Sequence, residues 1–106
     1  MSSANRLIER MPDAFAPELA WGLKMTVQFM IERPMYVIID NGLCEVAPGQ
    51  VEAPDATLTL SDDDLIAFMT GGIDDINAFM AGRCLVDGDI LSARKLPSVF
   101  DPQRLR

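Results

Sequence analysis

From Trp21 to Ile31 every second residue is apolar: Trp21, Leu23, Met25, Val27, Phe29 and Ile31. Gly22, Lys24, Thr26, Gln28 and Met30 lie between them, polar or small with one exception. A period of two belongs to a strand, so this stretch predicts a long strand with one buried and one wet face. Met35–Asp40 and Leu43–Ala47 are two more apolar runs, separated by Asn41-Gly42. Asn-Gly between such runs signals a two-residue hairpin, because both turn positions need positive φ. With that loop Ile39 faces Cys44 and Val37 faces Val46, leaving Met35, Val37, Ile39, Cys44 and Val46 on one apolar side. A further strand is expected over Ala56–Leu60, with Ala56, Leu58 and Leu60 inward, and another over Arg83–Asp87.

The period then changes. Asp64-Leu65-Ile66-Ala67-Phe68-Met69-Thr70-Gly71 recurs eleven positions later as Asp75-Ile76-Asn77-Ala78-Phe79-Met80-Ala81-Gly82. In each copy the large apolar side chains fall at i, i+3 and i+4, one face of a helix. Ser61 and the pair Asp74-Asp75 suit N-caps, and Gly71 and Gly82 suit the stops. Helices of about two turns are not stable alone in water; roughly 12–15 residues are needed even for marginal stability. Their Phe-Met faces must therefore lie on an apolar surface. Packing into a core accounts for such a stripe; a roof over an apolar pocket is the sharper reading, since methionine re-packs around irregular partners. A short helix is expected over residues 3–11, with Leu7, Ile8 and Met11 on one side and Pro12 closing it. A last helix runs from an Asp89 cap through Phe100, bent at Pro97. The order α-β-β-β-β-α-α-β-α is an α+β arrangement: a mostly antiparallel sheet with helices on one face.

A length of 106 residues predicts a single domain spanning residues 1–106. No apolar run reaches the ~18 residues of a membrane span. The start of the chain lacks a secretory pattern, and two cysteines do not make a disulfide framework, so a cytoplasmic location is expected. The net charge is −7, and between Arg33 and Arg83 nine acids occur without one Lys or Arg. Such a surface repels phosphate backbones, which argues against nucleic-acid binding. Cations gather near the ends, at Arg6, Arg10, Arg94, Lys95, Arg104 and Arg106. Transient contact with an anionic membrane is therefore expected through the two terminal segments.

Catalysis has few candidate groups. The chain has no histidine, the side chain whose unperturbed pKa suits acid–base work near neutrality. No phosphate loop or nucleophile elbow is present. Cys44 and Cys84 have no histidine partner and read as packing residues. The triplet Asp62-Asp63-Asp64 lacks the spacing and glycine of a calcium loop and reads as the acidic first turn of a helix. A binding protein without metal or cofactor is expected, not an enzyme.

From Pro54 onward the residues resemble the sterol carrier protein 2 family. The similarity lies in Pro54-Asp55-Ala56-Thr57-Leu58-Thr59-Leu60-Ser61-Asp62, then Gly71, Ala78-Phe79-Met80-Ala81-Gly82-Arg83 and Val86-Asp87-Gly88-Asp89, in order and spacing. The resemblance implies a five-stranded sheet with helices over one face, enclosing an apolar tunnel for sterols, fatty acids, acyl-CoA or other lipids. It also implies bacterial relatives that serve isoprenoid-quinone biosynthesis, so an accessory protein presenting lipophilic intermediates to enzymes is the alternative to a carrier. Leu85 stands where the family often has a lysine.

Both lines of argument place a lipid site between the sheet and the repeated helices. Phe29, Ile31, Leu65, Phe68, Met69, Ile76, Phe79 and Met80 are expected to line it. The segment Asp89–Phe100 is expected to cover its open end, with Leu91, Leu96, Val99 and Phe100 inward and Arg94 and Lys95 toward solvent. Pro97 weakens its last turn, so entry is expected there. The oligomeric state is expected to be a monomer or weak homodimer.

Overall fold

The computed structural model describes residues 3–106. Helix α1 (Ser3–Ala14) is followed by a 3-10 turn (Pro17–Leu19) and strands β1 (Met25–Met30), β2 (Met35–Asp40), β3 (Leu43–Pro48) and β4 (Ala56–Thr59). Then come α2 (Asp62–Thr70), α3 (Ile76–Gly82), β5 (Leu85–Gly88), α4 (Ile90–Lys95), a 3-10 turn (Leu96–Val99) and α5 (Pro102–Leu105). The five strands form one sheet in the order β3-β2-β1-β4-β5. β1 and β4 run parallel, and the other three pairs are antiparallel. The α+β class and the mostly antiparallel sheet agree with the reading of the sequence.

The hairpin has the expected register. Ile39 pairs with Cys44 and Val37 with Val46, and Asn41 and Gly42 both have positive φ, 52° and 76°. Met25, Val27 and Phe29 of β1, Met35, Val37 and Ile39 of β2, and Ala56 and Leu58 of β4 are buried on one face. α1 packs under β3 and β2, α2 beside α1, α3 against β5, and α4 against β1, β4 and β5. One continuous apolar core fills the space between sheet and helices.

Several boundaries differ from expectation. α1 continues through Pro12 to Ala14. Proline removes one backbone donor, but the last turn is held from outside. Asp101 N–H donates to the Ala14 carbonyl (2.9 Å) and Arg104 Nη1 to that of Asp13 (3.0 Å). β1 begins at Met25, not Trp21, and ends at Met30. Its neighbour β2 ends opposite Met25, at Ile39 and the turn, so the residues before Met25 have no strand to pair with; the chain turns there and Trp21 is exposed. Nor is the second face of β1 wet throughout. The side chain of Gln28 is buried, donating to the carbonyls of Met35 (3.1 Å) and Gly49 (3.0 Å) and accepting from Val51 N–H (2.8 Å). The connection after β3 folds back over that carboxamide. β5 starts at Leu85, two residues later than expected. The segment from Asp89 to Phe100 is two short pieces, not one bent helix, with α5 following it, and in α4 Leu91 is 60% exposed. That corrects its inward placement: the buried residue of this turn is Ala93.

Candidate functional site

The floor of the expected site is the buried face of the sheet. Phe29 pairs with Leu58 across the parallel β1–β4 contact, and Leu58 with Val86 across β4–β5. Ile31 and Leu60 extend this floor just past the strand ends and are buried too. Above it lies α2. Ser61 accepts from Asp64 N–H (3.0 Å) as N-cap, and three aspartates occupy the first turn, so the acidic triplet serves the helix start. Among the described residues no group of three His, Cys, Asp or Glu side chains is placed to hold a metal ion. Leu65, Phe68 and Met69 are buried on the inner side of α2.

α3 carries the second copy of the repeat. Asp75 accepts from Asn77 N–H and Ala78 N–H (3.0 and 3.2 Å). Phe79 and Met80 are buried, and Ile76 is half-buried against the core. Phe68 and Phe79 stack with ring centroids 5.8 Å apart and planes 13° apart. The two copies are thus joined face to face by the same residue of each. Their far ends are joined by charge: Arg83, at the end of α3, pairs with Asp64 in the first turn of α2 at 2.6 Å. The sequence reading assigned Arg83 no role, although it is the first cation after the long interval that lacks one. A surface hollow of about 340 Å3 lies in the α2–α3 angle, lined by Gly72, Ile73, Ala78, Phe79 and Arg83 among others. Phe79 therefore stands between an outer hollow and the inner core.

Of the expected lining residues, Phe29, Ile31, Leu65, Phe68, Met69, Phe79 and Met80 are brought together in the core, with Ile76 at its edge. Leu96 and Phe100 belong to the same core from the C-terminal side, where Phe100 meets Phe15 at 5.6 Å. Leu91 lies outside it. Arg94 and Lys95 face solvent, as expected. Arg10 Nη2 and Arg106 Nη2 donate to the carbonyls of Leu105 (2.8 Å) and Thr70 (3.1 Å). With Arg104 on Asp13, three of the terminal cations thus cap helix C-termini.

The thiols are poor nucleophiles. Burial, with Glu45 adding to it, pushes Cys44 up to about 12. Burial, with Asp64 adding to it, pushes Cys84 up to about 11. Little thiolate exists near neutrality at either position.

Comparison with known proteins identifies the family to which this sheet with its packed helices belongs. The chain belongs to the SCP-2 sterol transfer family, whose model matches residues 4–101. Domains of this family are in general lipid-binding and non-catalytic. Sterol carrier protein 2 of Bos taurus is 34% identical over 68 residues; the match covers 64% of this chain but 12% of that protein's length. Palmitated SCP2L2 from Aedes aegypti is 25% identical with a TM-score of 0.68, over 88% of this chain and 89% of that one. The sec-alkylsulfatase Pisa1 from Pseudomonas sp. superposes with a TM-score of 0.76 at 20% identity, over 86% of this chain and 15% of that chain. A ubiquinone synthesis protein, UbiJ-SCP2, has a TM-score of 0.63 at 14% identity, over 96% of this chain and 88% of that one. No helix among the described residues is long and apolar enough to cross a membrane.

Proposed function

We propose that this chain is a single cytoplasmic lipid-binding domain that takes up a slender hydrophobic ligand, such as a fatty acid or acyl chain, between the sheet and the α2–α3 pair, without bond-making. The observation that carries the reading is the stacked Phe68–Phe79 pair in one core with Phe29, Ile31 and Leu58. α3 has only seven residues, attached through Gly71-Gly72, so it is the part of the roof that moves most readily. The lining side chains are packed together in one core. A ligand enters at the hollow beside Phe79, parts the two rings and takes over their apolar contacts, with Leu65, Met69, Ile76 and Met80 re-packing around it. Leu96 and Phe100 bound the far end. Burial of the ligand surface, at ~25 cal/mol per Å2 before ordering costs, supplies the affinity. A carboxylate head group at the mouth competes with Asp64 for Arg83.

The test is palmitate titration followed by native mass spectrometry and calorimetry. One palmitate per chain at micromolar concentration is expected. Phe79→Ala should change the affinity about tenfold while far-ultraviolet circular dichroism stays that of the parent. Folded protein that takes up neither palmitate nor a hydrophobic fluorescent probe overturns the reading. The likeness to UbiJ-SCP2 favours a second reading, in which the domain presents lipophilic intermediates such as isoprenoid quinone precursors to biosynthetic enzymes. Co-purification with such an enzyme, lost on Phe79→Ala, distinguishes it.

A further inference from the structure

Where β1 begins and β2 ends, the surface is apolar in a way that neither the core nor the ligand site explains. Trp21 is 93% exposed. It is not on a loose segment. Leu19 N–H and Ala20 N–H donate to the carbonyls of Ala16 and Pro17 (both 3.0 Å), and Leu23 N–H closes a turn onto the Ala20 carbonyl (2.9 Å). Gly22 takes the left-handed position in that turn, φ 74°, which side chains other than glycine adopt at a cost. Ala20 is buried on one side and Leu23 packs against the core on the other. A built turn therefore displays the indole, although burying a tryptophan is among the largest apolar gains a small domain can make.

The surroundings are of one kind. An open hollow of about 990 Å3 has Trp21, Lys24 and Asp40 on its walls, and one of about 350 Å3 on the other side of the indole has Leu19 and Lys95. Leu43, beyond the hairpin tip, lines a third hollow that shares Asp40 with the first. Leu19 and Leu43 are 63% and 65% exposed. Lys24 and Lys95 face Glu18 and Asp40 in the hollows beside the indole, and Glu45 joins Asp40 in the one lined by Leu43, so most of the excess of seven negative charges lies elsewhere on the chain. Arg94, next to Lys95, adds a further exposed cation.

We propose that this end of the molecule docks on a phospholipid bilayer, with the Trp21 indole at the headgroup–acyl boundary, Leu19 and Leu43 beside it, and Lys24 and Lys95 on lipid phosphates. Tryptophan and lysine are the residue types that settle at that boundary, one amphipathic and flat, the other long and cationic. This nearly neutral end can approach an anionic surface that the remainder of the chain repels. Of the cations near the chain ends this contact uses Lys95, whereas Arg10, Arg104 and Arg106 cap helices. It also goes beyond ligand uptake, since a domain could bind palmitate from solution and never touch a vesicle.

Trp21 is the chain's single tryptophan, so its emission reads the contact directly. With phosphatidylcholine vesicles containing phosphatidylglycerol, a saturable blue shift is expected, with quenching when the acyl chains are brominated. Trp21→Ser should lower sedimentation with the vesicles by about tenfold, and the pair Lys24→Glu with Lys95→Glu by a similar factor. Both variants should keep the parent's circular dichroism and its uptake of palmitate from solution, which separates a failure here from a failure of the ligand site. The proposal is overturned if the emission does not move with vesicles, or if Trp21→Ser sediments like the parent. A blue shift that grows with protein concentration in the absence of vesicles also overturns it and assigns the patch to a second copy of the chain.

Discussion

Leu65 and Leu91 have the same side chain and similar helical neighbours, yet one is fully buried and the other is 60% exposed. Leu65→Ala is expected to cost about 2–5 kcal/mol, because a closed core cannot collapse onto the cavity. Leu91→Ala should change stability by no more than about 0.5 kcal/mol. Urea unfolding of the two variants side by side checks the contrast. The thiols make a second prediction at this scale. Both are held neutral by burial, so the folded state is favoured below the ordinary thiol value of 9.0. That contribution is lost as pH rises from there through about 11 for Cys84 and about 12 for Cys44, because the unfolded chain ionises first. Stability should fall over that alkaline window, and by less in Cys44→Ala, as followed by urea midpoints at stepped pH. Neither thiol should react readily with a disulfide reagent near neutrality.

Among the elements, α2 and α3 share a sequence pattern but differ in how they are held. α2 has a capped start, a left-handed Gly71 stop and a place against α1 and α5. α3 is shorter and rests mainly on β5, the Phe68–Phe79 stack and the Arg83–Asp64 pair. Amides of α3 should therefore exchange with deuterium faster than those of β1 and β2, and slow when palmitate is added. Arg83 is largely exposed, so Arg83→Gln should cost at most ~1 kcal/mol of global stability. It should nevertheless speed exchange in α3 more than in β1. Uniform exchange across the two elements would count against a moving roof. The Asp89–Phe100 segment is a weaker candidate for the entry, since Leu96, Val99 and Phe100 are anchored in the core and Leu91 does not cover it.

At the scale of the whole molecule, charge and compactness meet. The Cα radius of gyration is 12.3 Å, close to the ~13 Å expected of a compact chain of about 100 residues. A net charge of −7 is held within that radius. Among the described residues the ion pair is Arg83–Asp64, so most of the acids lack a counter-charge in contact. Moderate salt should screen the self-repulsion and raise the melting temperature. A shift of a few degrees corresponds to under about 1 kcal/mol at this size. A melting temperature that falls with added sodium chloride would mean that specific ion pairs outweigh the net repulsion. The same repulsion favours a monomer or weak dimer, which light scattering at stepped concentrations checks.

Local chemistry made much of this legible in the sequence. Asn41-Gly42 could adopt one kind of turn, and that turn set the register of Met35–Pro48 down to the pairing of Ile39 with Cys44. The repeat at Leu65–Met69 and Ile76–Met80 declared two short helices that had to share an apolar face, Ser61 and Asp74-Asp75 marked their starts, and Asp89 marked that of α4. The family resemblance extended the same elements to a whole fold. What periodicity could not decide was where a pattern has a partner. The alternation from Trp21 is as regular before Met25 as after it, but a strand exists only where a neighbour offers hydrogen bonds, and β2 ends opposite Met25. Trp21, Gln28 and Leu91 were each misplaced for that reason. One lost its strand, one gained a covering loop, and one lay on the far side of a helix whose inner position went to Ala93. The pairing of Arg83 with Asp64 likewise needed two helices folded against each other. Sequence by itself determined the helix caps, the hairpin turn and the kind and order of most elements, because those depend on neighbours in the chain. Tertiary structure decided which apolar side chains remain outside, because burial depends on what else arrives at the same place.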